Sequence, residues 1–247
     1  MNRFFGKSEN IFENEIIIDG SDVNHIKNVL RMKQGDKLLV AGGNNKEFVC
    51  SIGSFEDDRI ILHIDSTSLT DRELPVKVTL FQGLPKGDKM EWIIQKCVEL
   101  GVFEIVPVSM KRCVVKLDEK KAKGKVSRWQ SISESGAKQC GRNIVPKISE
   151  VMSFNKAMEY AKDLDMVIVP YELCEGMDAT QKALSSIKPG MNVGVFIGPE
   201  GGFDISEIEL SKALGFTPVS LGKRILRTET AGMTVMAILM YHLEIQE

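Results

Sequence analysis

From Pro75 onward the sequence repeats one rhythm: an apolar run of strand length, a polar turn, then a stretch with helical spacing. The apolar runs lie at 76–81, 103–108, 166–171, 193–197 and 218–221. Short runs with no polar alternation are buried on both faces, and strands that alternate with helices build a mainly parallel sheet covered by helices on both sides. Asp88, with Glu91 three residues on, reads as a capping-box start. Met90, Ile93, Ile94, Cys97 and Leu100 follow at helical spacing, Trp92 reads as a further core residue, and Gly101 is a stop. Asp204 and Glu207 open another helix in the same way, and Gly215 closes it. The last helix, 231–243, is apolar around nearly its whole circumference through Met233, Val235, Met236, Ile238, Leu239 and Met240. Such a helix is buried on more than one side, in a core or at a subunit interface.

The first seventy residues obey a different period. Residues 37–41 form an apolar run before the turn Gly42, Gly43, Asn44, Asn45. Phe48, Cys50 and Ile52 then alternate with Val49 and Ser51, and Ile60, Leu62 and Ile64 alternate after the turn at Glu56, Asp57 and Asp58. Period-two alternation between tight turns predicts a small β-barrel. A helix at about 22–32, with Val23, Ile26, Val29 and Leu30 on one face, interrupts it. The polar stretch TDRELP at 70–75 sets the boundary, giving units 1–72 and 73–247.

Net charge is −2, which by itself argues against a nucleic-acid partner. The total conceals a window at 111–147 with 11 basic and 3 acidic residues, which leaves the remainder at −10. The window holds Arg112, Arg128 and Arg142 and an aromatic, Trp129, that reads as exposed. It is either a solvated lysine-rich face or a phosphate-contacting surface. Five cysteines without a CxxC pair or a Cys/His cluster indicate reduced thiols and no metal site. No apolar stretch reaches the roughly 20 residues of a membrane span, and the N-terminus lacks an apolar signal core, so a cytoplasmic location is expected.

Two glycine-bearing loops stand where chemistry is expected. In VGVFIGPEGGF (193–203) a buried strand runs into Gly198, Pro199, Glu200, Gly201 and Gly202, and then into the Asp204 helix start. Glycines there either make a tight connection or let a ligand approach the backbone at the carboxyl end of the sheet. The spacing is neither GxGxxG nor a P-loop, so no dinucleotide or NTP site is indicated. In LGKRILRTETA (221–231), Gly222, Lys223, Arg224, Arg227, Thr228, Glu229 and Thr230 lie between a strand and the apolar last helix. That loop is either a capped helix start or a second ligand wall.

Together with KGDKMEWIIQKCVELGV (86–102), GRNIVP (141–146) and HIKNVLRMKQGD (25–36), these loops make the whole chain resemble the ribosomal RNA small-subunit uridine N3 methyltransferases of the SPOUT, or α/β-knot, superfamily. The resemblance implies a PUA-like RNA-binding barrel followed by a domain whose C-terminal segment threads a trefoil knot. It implies a homodimer acting on 16S rRNA or the small ribosomal subunit, without metal. S-adenosylmethionine would sit against Val169, Pro170 and Tyr171, against Phe196, Ile197, Gly198, Pro199, Glu200, Gly201 and Gly202, and against Leu221, Gly222, Ile225, Leu226, Arg227, Thr230 and Ala231. Arg3, Arg31, Lys86, Arg112 and Arg142 are the implied RNA contacts, Arg142 reaching the site from the partner subunit. The motif AKQCGR (137–142) departs from the EQSGR-like pattern of many relatives, which leaves Cys140 without an implied role.

Alkylation at uridine N3 needs the base unpaired, its N3 proton removed and the resulting imide anion stabilised. Glu200 and Glu229 are the candidate bases and Arg227 the candidate anion stabiliser. Ribose 2′-O-methylation and a non-catalytic RNA-binding role in ribosome assembly are the competing readings.

Overall fold

The computed structural model describes residues 1–43, 45–174 and 176–244; Asn44 of the first turn lies outside the described residues. The chain divides into two compact units, Met1–Glu73 with Ala137–Val145, and Leu74–Gly136 with Pro146–Glu247. Sequence composition placed 137–145 with the second unit, because nothing local marks a return to the first.

The first unit is a five-stranded sheet in the order β1-β3-β4-β5-β2: β1 (Arg3–Phe5), β2 (Glu15–Asp19), β3 (Lys37–Ala41), β4 (Lys46–Phe55) and β5 (Arg59–Leu69). All its pairings are antiparallel except β1 with β3. Residues from every strand meet in one core, including Phe4, Ile16, Ile18, Leu38, Val40, Phe48, Cys50, Ile60 and Leu62, so the sheet wraps a single apolar centre. The expected helix is shorter and distorted. Helix α1 (Ser21–Asn24) passes into a π-helical turn, His25–Val29, closed by Leu30 N–H donating to the His25 carbonyl at 2.9 Å. The wider turn keeps Val23 and Ile26 in the core and carries Val29 to 62% exposure. Arg31 follows with φ 52°, left-handed for a non-glycine residue.

Arg142, expected at an RNA surface, is instead buried here, and the side chain of Arg3, expected there too, is only 8% exposed. The Arg142 guanidinium grips the Glu73 carboxylate through Nη2 and through Nε at 2.9 Å, and the other Glu73 oxygen accepts the N–H groups of Asn143 (3.0 Å) and Ile144 (3.2 Å). Arg3 pairs with Glu47, and its Nη2 donates to Asn143 Oδ1. Buried charges persist only with such full pairing.

The second unit holds a parallel sheet in the order β12-β10-β11-β6-β7-β8, with β9 also on β7. Its strands are β6 (Lys77–Gly83), β7 (Glu104–Ser109), β8 (Lys147–Ile148), β9 (Met152–Ser153), β10 (Met166–Pro170), β11 (Asn192–Ile197) and β12 (Thr217–Val219). Between them run α2 (Lys89–Glu99), α3 (Glu119–Cys140), α4 (Phe154–Ala161), α5 (Asp178–Ser186), α6 (Ile205–Ala213) and, last, α7 (Thr228–Glu244). The five long apolar runs thus became β6, β7, β10, β11 and β12. The Asp204 capping box forms in full, whereas Asp88 precedes α2 without a side-chain cap.

Two expectations about apolar surfaces are reversed. Trp92 is 53% exposed, because Met90, Ile93, Ile94, Cys97 and Val98 already define the buried face of α2 and position 92 falls outside it. Trp129 is 4% exposed, on the same α3 stripe as buried Ser133, Gly136 and Ala137. Helix α7 buries one face, Gly232, Val235, Met236, Leu239 and Leu243, and leaves Met233, Ile238 and Met240 half-buried and Tyr241 66% exposed.

The Glu73–Arg142 pair carries a direct expectation. Arg142→Ala strands a carboxylate that is only 13% exposed and lowers the unfolding free energy by about 3 kcal/mol, measurable by denaturant titration.

Candidate functional site

Parallel strands deliver their carboxyl ends to one edge of the sheet. There the loops after β10, β11 and β12 and the start of α7 enclose a cavity of about 410 Å³. Its walls come from Pro170, Tyr171 and Glu172, from 197–200, 202 and 203, and from 220–228 with Ala231 and Lys89. Of the residues expected there, Pro170, Tyr171, Ile197, Gly198, Pro199, Glu200, Gly202, Leu221, Gly222, Ile225, Leu226, Arg227 and Ala231 line it.

Five others, counting the candidate base Glu229, do not line it. Val169 is buried within β10, and Phe196 faces the core, stacked on Phe81 at 4.3 Å between ring centroids. Strand alternation explains both, since neighbouring side chains point to opposite faces. Thr230 is outside the lining, as is Glu229, whose side chain is 12% exposed. Gly201 points elsewhere: a Cβ there would stand 3.0 Å from Arg112 Cβ and 3.2 Å from its carbonyl oxygen. The close approach at Gly201 is therefore to a neighbouring loop.

Sequence reading assigned no site role to Lys89, Glu172, Phe203, Ser220, Lys223, Arg224 and Thr228, although the last three stand in the second loop. Thr228 is the connector: its hydroxyl donates to the Gly198 carbonyl at 2.6 Å and accepts from Gln82 Nε2 at 2.8 Å. Gly83 lets β6 pass beneath the loop, since a Cβ would lie 2.6 Å from the Pro199 nitrogen. On the other wall, Ser220 exchanges hydrogen bonds with Thr180, and its Oγ accepts the Gly222 N–H. Gly222 takes φ 104° and Gly202 φ 67°, which only glycine adopts without strain.

Lys89 sits between two carboxylates. Its Nζ donates to Glu200 Oε1 at 2.8 Å and lies 3.6 Å from Glu229 Oε2, while the Lys86 N–H also reaches Glu200 Oε1 at 3.0 Å. Partial burial pushes the Glu200 carboxyl up, but the Lys89 ammonium and the Lys86 and Glu200 N–H groups outweigh it and hold the group below the ordinary carboxylate range. The hydrogen bond from Lys89 to Glu200 raises the Lys89 pKa against the opposing effect of burial, with the charge of Glu229 adding to it. A carboxylate so stabilised is a poor proton acceptor, which weighs against Glu200 as base. Arg227 and Ile225 are exposed on the rim, the latter at 83%. Lys86, Arg112 and Arg31 are exposed, as are Lys120, Lys121, Lys123 and Arg128 along α3.

Residues 72–240 match the RNA methyltransferase domain family and residues 18–65 the RNA methyltransferase PUA domain family. Ribosomal RNA small subunit methyltransferase E of Bacillus subtilis is 40% identical over 232 residues, covering 92% of this chain and 90% of that protein. The chain belongs to this family. A second member, from Mesomycoplasma hyopneumoniae, is 33% identical over 96% of this chain and 97% of its own length. The crystal structure of ribosomal RNA small subunit methyltransferase E from Neisseria gonorrhoeae, bound to S-adenosyl methionine, superposes with a TM-score of 0.82 at 32% identity, covering 97% of this chain and 96% of that one. Among the described residues no cluster of metal-binding side chains occurs, and no helix is long and apolar enough to cross a membrane.

Lys89→Met removes the cation that holds Glu200 down. The Glu200 carboxyl is expected to titrate at higher pH in the variant than in the parent, a shift read from its side-chain carbon by NMR. An unchanged titration refutes the ion pair.

Proposed function

We propose that this protein methylates N3 of a uridine in 16S rRNA, as a cytoplasmic homodimer whose C-terminal segment threads a trefoil knot. The family assigns the coarser activity, S-adenosylmethionine-dependent methylation of small-subunit rRNA, and the cavity fits that cofactor. Its volume lies in the range of small-molecule sites. Its walls offer backbone groups at Gly198, Gly202 and Gly222, apolar surface at Ile197 and Leu226, and the carboxylate of Glu172. When bound, S-adenosylmethionine supplies an electrophilic methyl group on its sulfonium.

The observation that carries the uridine reading is the separation of charges around the cavity. Glu200 is hydrogen-bonded to Lys89, Glu229 Oε2 is buried 3.6 Å from the same ammonium without accepting a hydrogen bond, and Arg227 stands on the rim without an ion pair among the described residues. An imide nitrogen needs a proton acceptor and a cation for its developing charge. Glu229 suits the first task and Arg227 the second. Glu200 then acts through Lys89, fixing the loop that bears it.

The remaining assignments follow. Exposed Arg31, Lys86 and Arg112 and the α3 lysines suit contact with RNA phosphates. The uncovered apolar face of α7 suits a second subunit. For the knot, the chain leaves β11, pairs as β12 on the far side of β10, and returns to Gly198 and Gln82 through Thr228. That path supports the reading of a threaded segment.

Methylation of naked 16S rRNA and of assembled small subunits, followed by nucleoside mass spectrometry, tests the reaction. 3-Methyluridine is the expected product, and 2′-O-methylated nucleoside overturns the proposal. Arg227→Ala is expected to lose at least about 100-fold in turnover while binding S-adenosylmethionine normally by calorimetry. Gly83→Ala, which crowds Pro199, weakens cofactor binding instead. Changing Lys120, Lys121 and Lys123 to Glu lowers RNA affinity and flattens its dependence on salt in filter-binding titrations.

A further inference from the structure

Glu207 has a second bond that a helix cap does not require. It lies in the first turn of α6 and is 2% exposed. Its Oε2 accepts the Asp204 N–H at 2.9 Å, completing the capping box. Its Oε1 accepts the N–H of Lys111, also at 2.9 Å, from the turn that follows β7. That turn is closed by Cys113 N–H to the Met110 carbonyl at 3.1 Å. Lys111 Nζ donates to Ser206 Oγ at 2.6 Å, and Arg112 Nη1 donates to the Gly201 carbonyl at 3.2 Å. Arg112 Nε and Lys111 Nζ lie 3.7 Å and 3.5 Å from the Asp204 carboxylate. Gly201 permits the contact, since any Cβ there would press on Arg112.

These bonds are unequal. The Lys111 and Arg112 side chains are exposed, so water and salt weaken what they contribute. The Glu207 carboxylate is sheltered, and leaving either oxygen unpaired costs its desolvation. Glu207 therefore fixes the backbone of a basic, RNA-facing turn to the loop 198–204 that walls the cofactor cavity.

We infer that Glu207 is a positioning residue that couples RNA binding on the Lys111 and Arg112 turn to S-adenosylmethionine binding in the adjacent loop. The inference rests on the reading of Arg112 as an RNA contact. RNA that orders the turn also orders Gly201 and Gly202, so the cofactor meets a loop whose freedom is already reduced. The coupling is reciprocal, as linkage requires.

Calorimetry on the full chain measures the cofactor Kd with and without saturating 16S rRNA. The parent protein is expected to bind S-adenosylmethionine about tenfold more tightly with RNA present. Glu207→Gln keeps one acceptor for the cap and turns an NH₂ toward the Lys111 N–H. It is expected to bind each ligand alone within about twofold of the parent and to lose the tenfold coupling. Gly201→Ala, which displaces Arg112 and leaves Glu207 in place, should lose it too. Equal Kd values in the parent with and without RNA overturn the inference, as does full coupling in both variants. Failure of the parent to bind RNA at all overturns the functional reading itself, and the inference with it.

Discussion

The site depends on one hydroxyl. Thr228 joins the end of β6, the loop after β11 and the first turn of α7, donating to one carbonyl and accepting from one amide. It is 5% exposed, so neither bond can be exchanged for water without cost. Its donor bond fixes Gly198, and with it the entry to the glycine-rich loop. Its position at the head of α7 draws the chain back from β12 over the sheet's carboxyl edge. The cavity is what remains between these two constrained paths.

Charge completes the arrangement. Around the cavity Glu172 and Glu200 face Lys89, Lys223, Arg224 and Arg227; Lys89 is paired with Glu200 and with Glu229, while among the described residues Lys223, Arg224 and Arg227 have no ion pair. Lys89 binding Glu200 removes one carboxylate from acid–base work and leaves the other beside it. The same rule governs the first unit, where Arg142 and Arg3 are spent on Glu73 and Glu47. An arginine in a basic window is thus open to a phosphate only if no carboxylate holds it in a buried pair. The exposed lysines of α3 meet that condition, and Arg142 does not.

Much of this was legible in the residues. The apolar runs located five of the seven strands of the parallel sheet within a residue or two, because a strand buried on both faces leaves a continuous apolar signature, and they missed the two-residue β8 and β9. The Asp204 and Glu207 pair announced its helix start, since a capping box is local chemistry. The two glycine loops pointed to the cavity, and thirteen expected residues line it. Failures had the opposite character. Trp92 and Trp129 exchanged places because their expectations followed residue type and charged surroundings, whereas burial follows the helix face on which each residue falls. Lys89 was one lysine among several until folding brought it to Glu200, 111 positions away.

The sequence by itself determined the α/β architecture, the strand-end position of the site and the family, for these follow from periodicity, turn chemistry and motif order. Tertiary structure alone decided which charges are available. Segment Ala137–Val145 returned to the first unit and buried Arg142, Gly201 turned to Arg112 rather than into the cavity, and Glu207 acquired a second partner. Each outcome depends on a contact between residues far apart in the chain. The desolvation of a charge or carbonyl is set by whatever folding brings beside it, and local sequence carries no record of that neighbour.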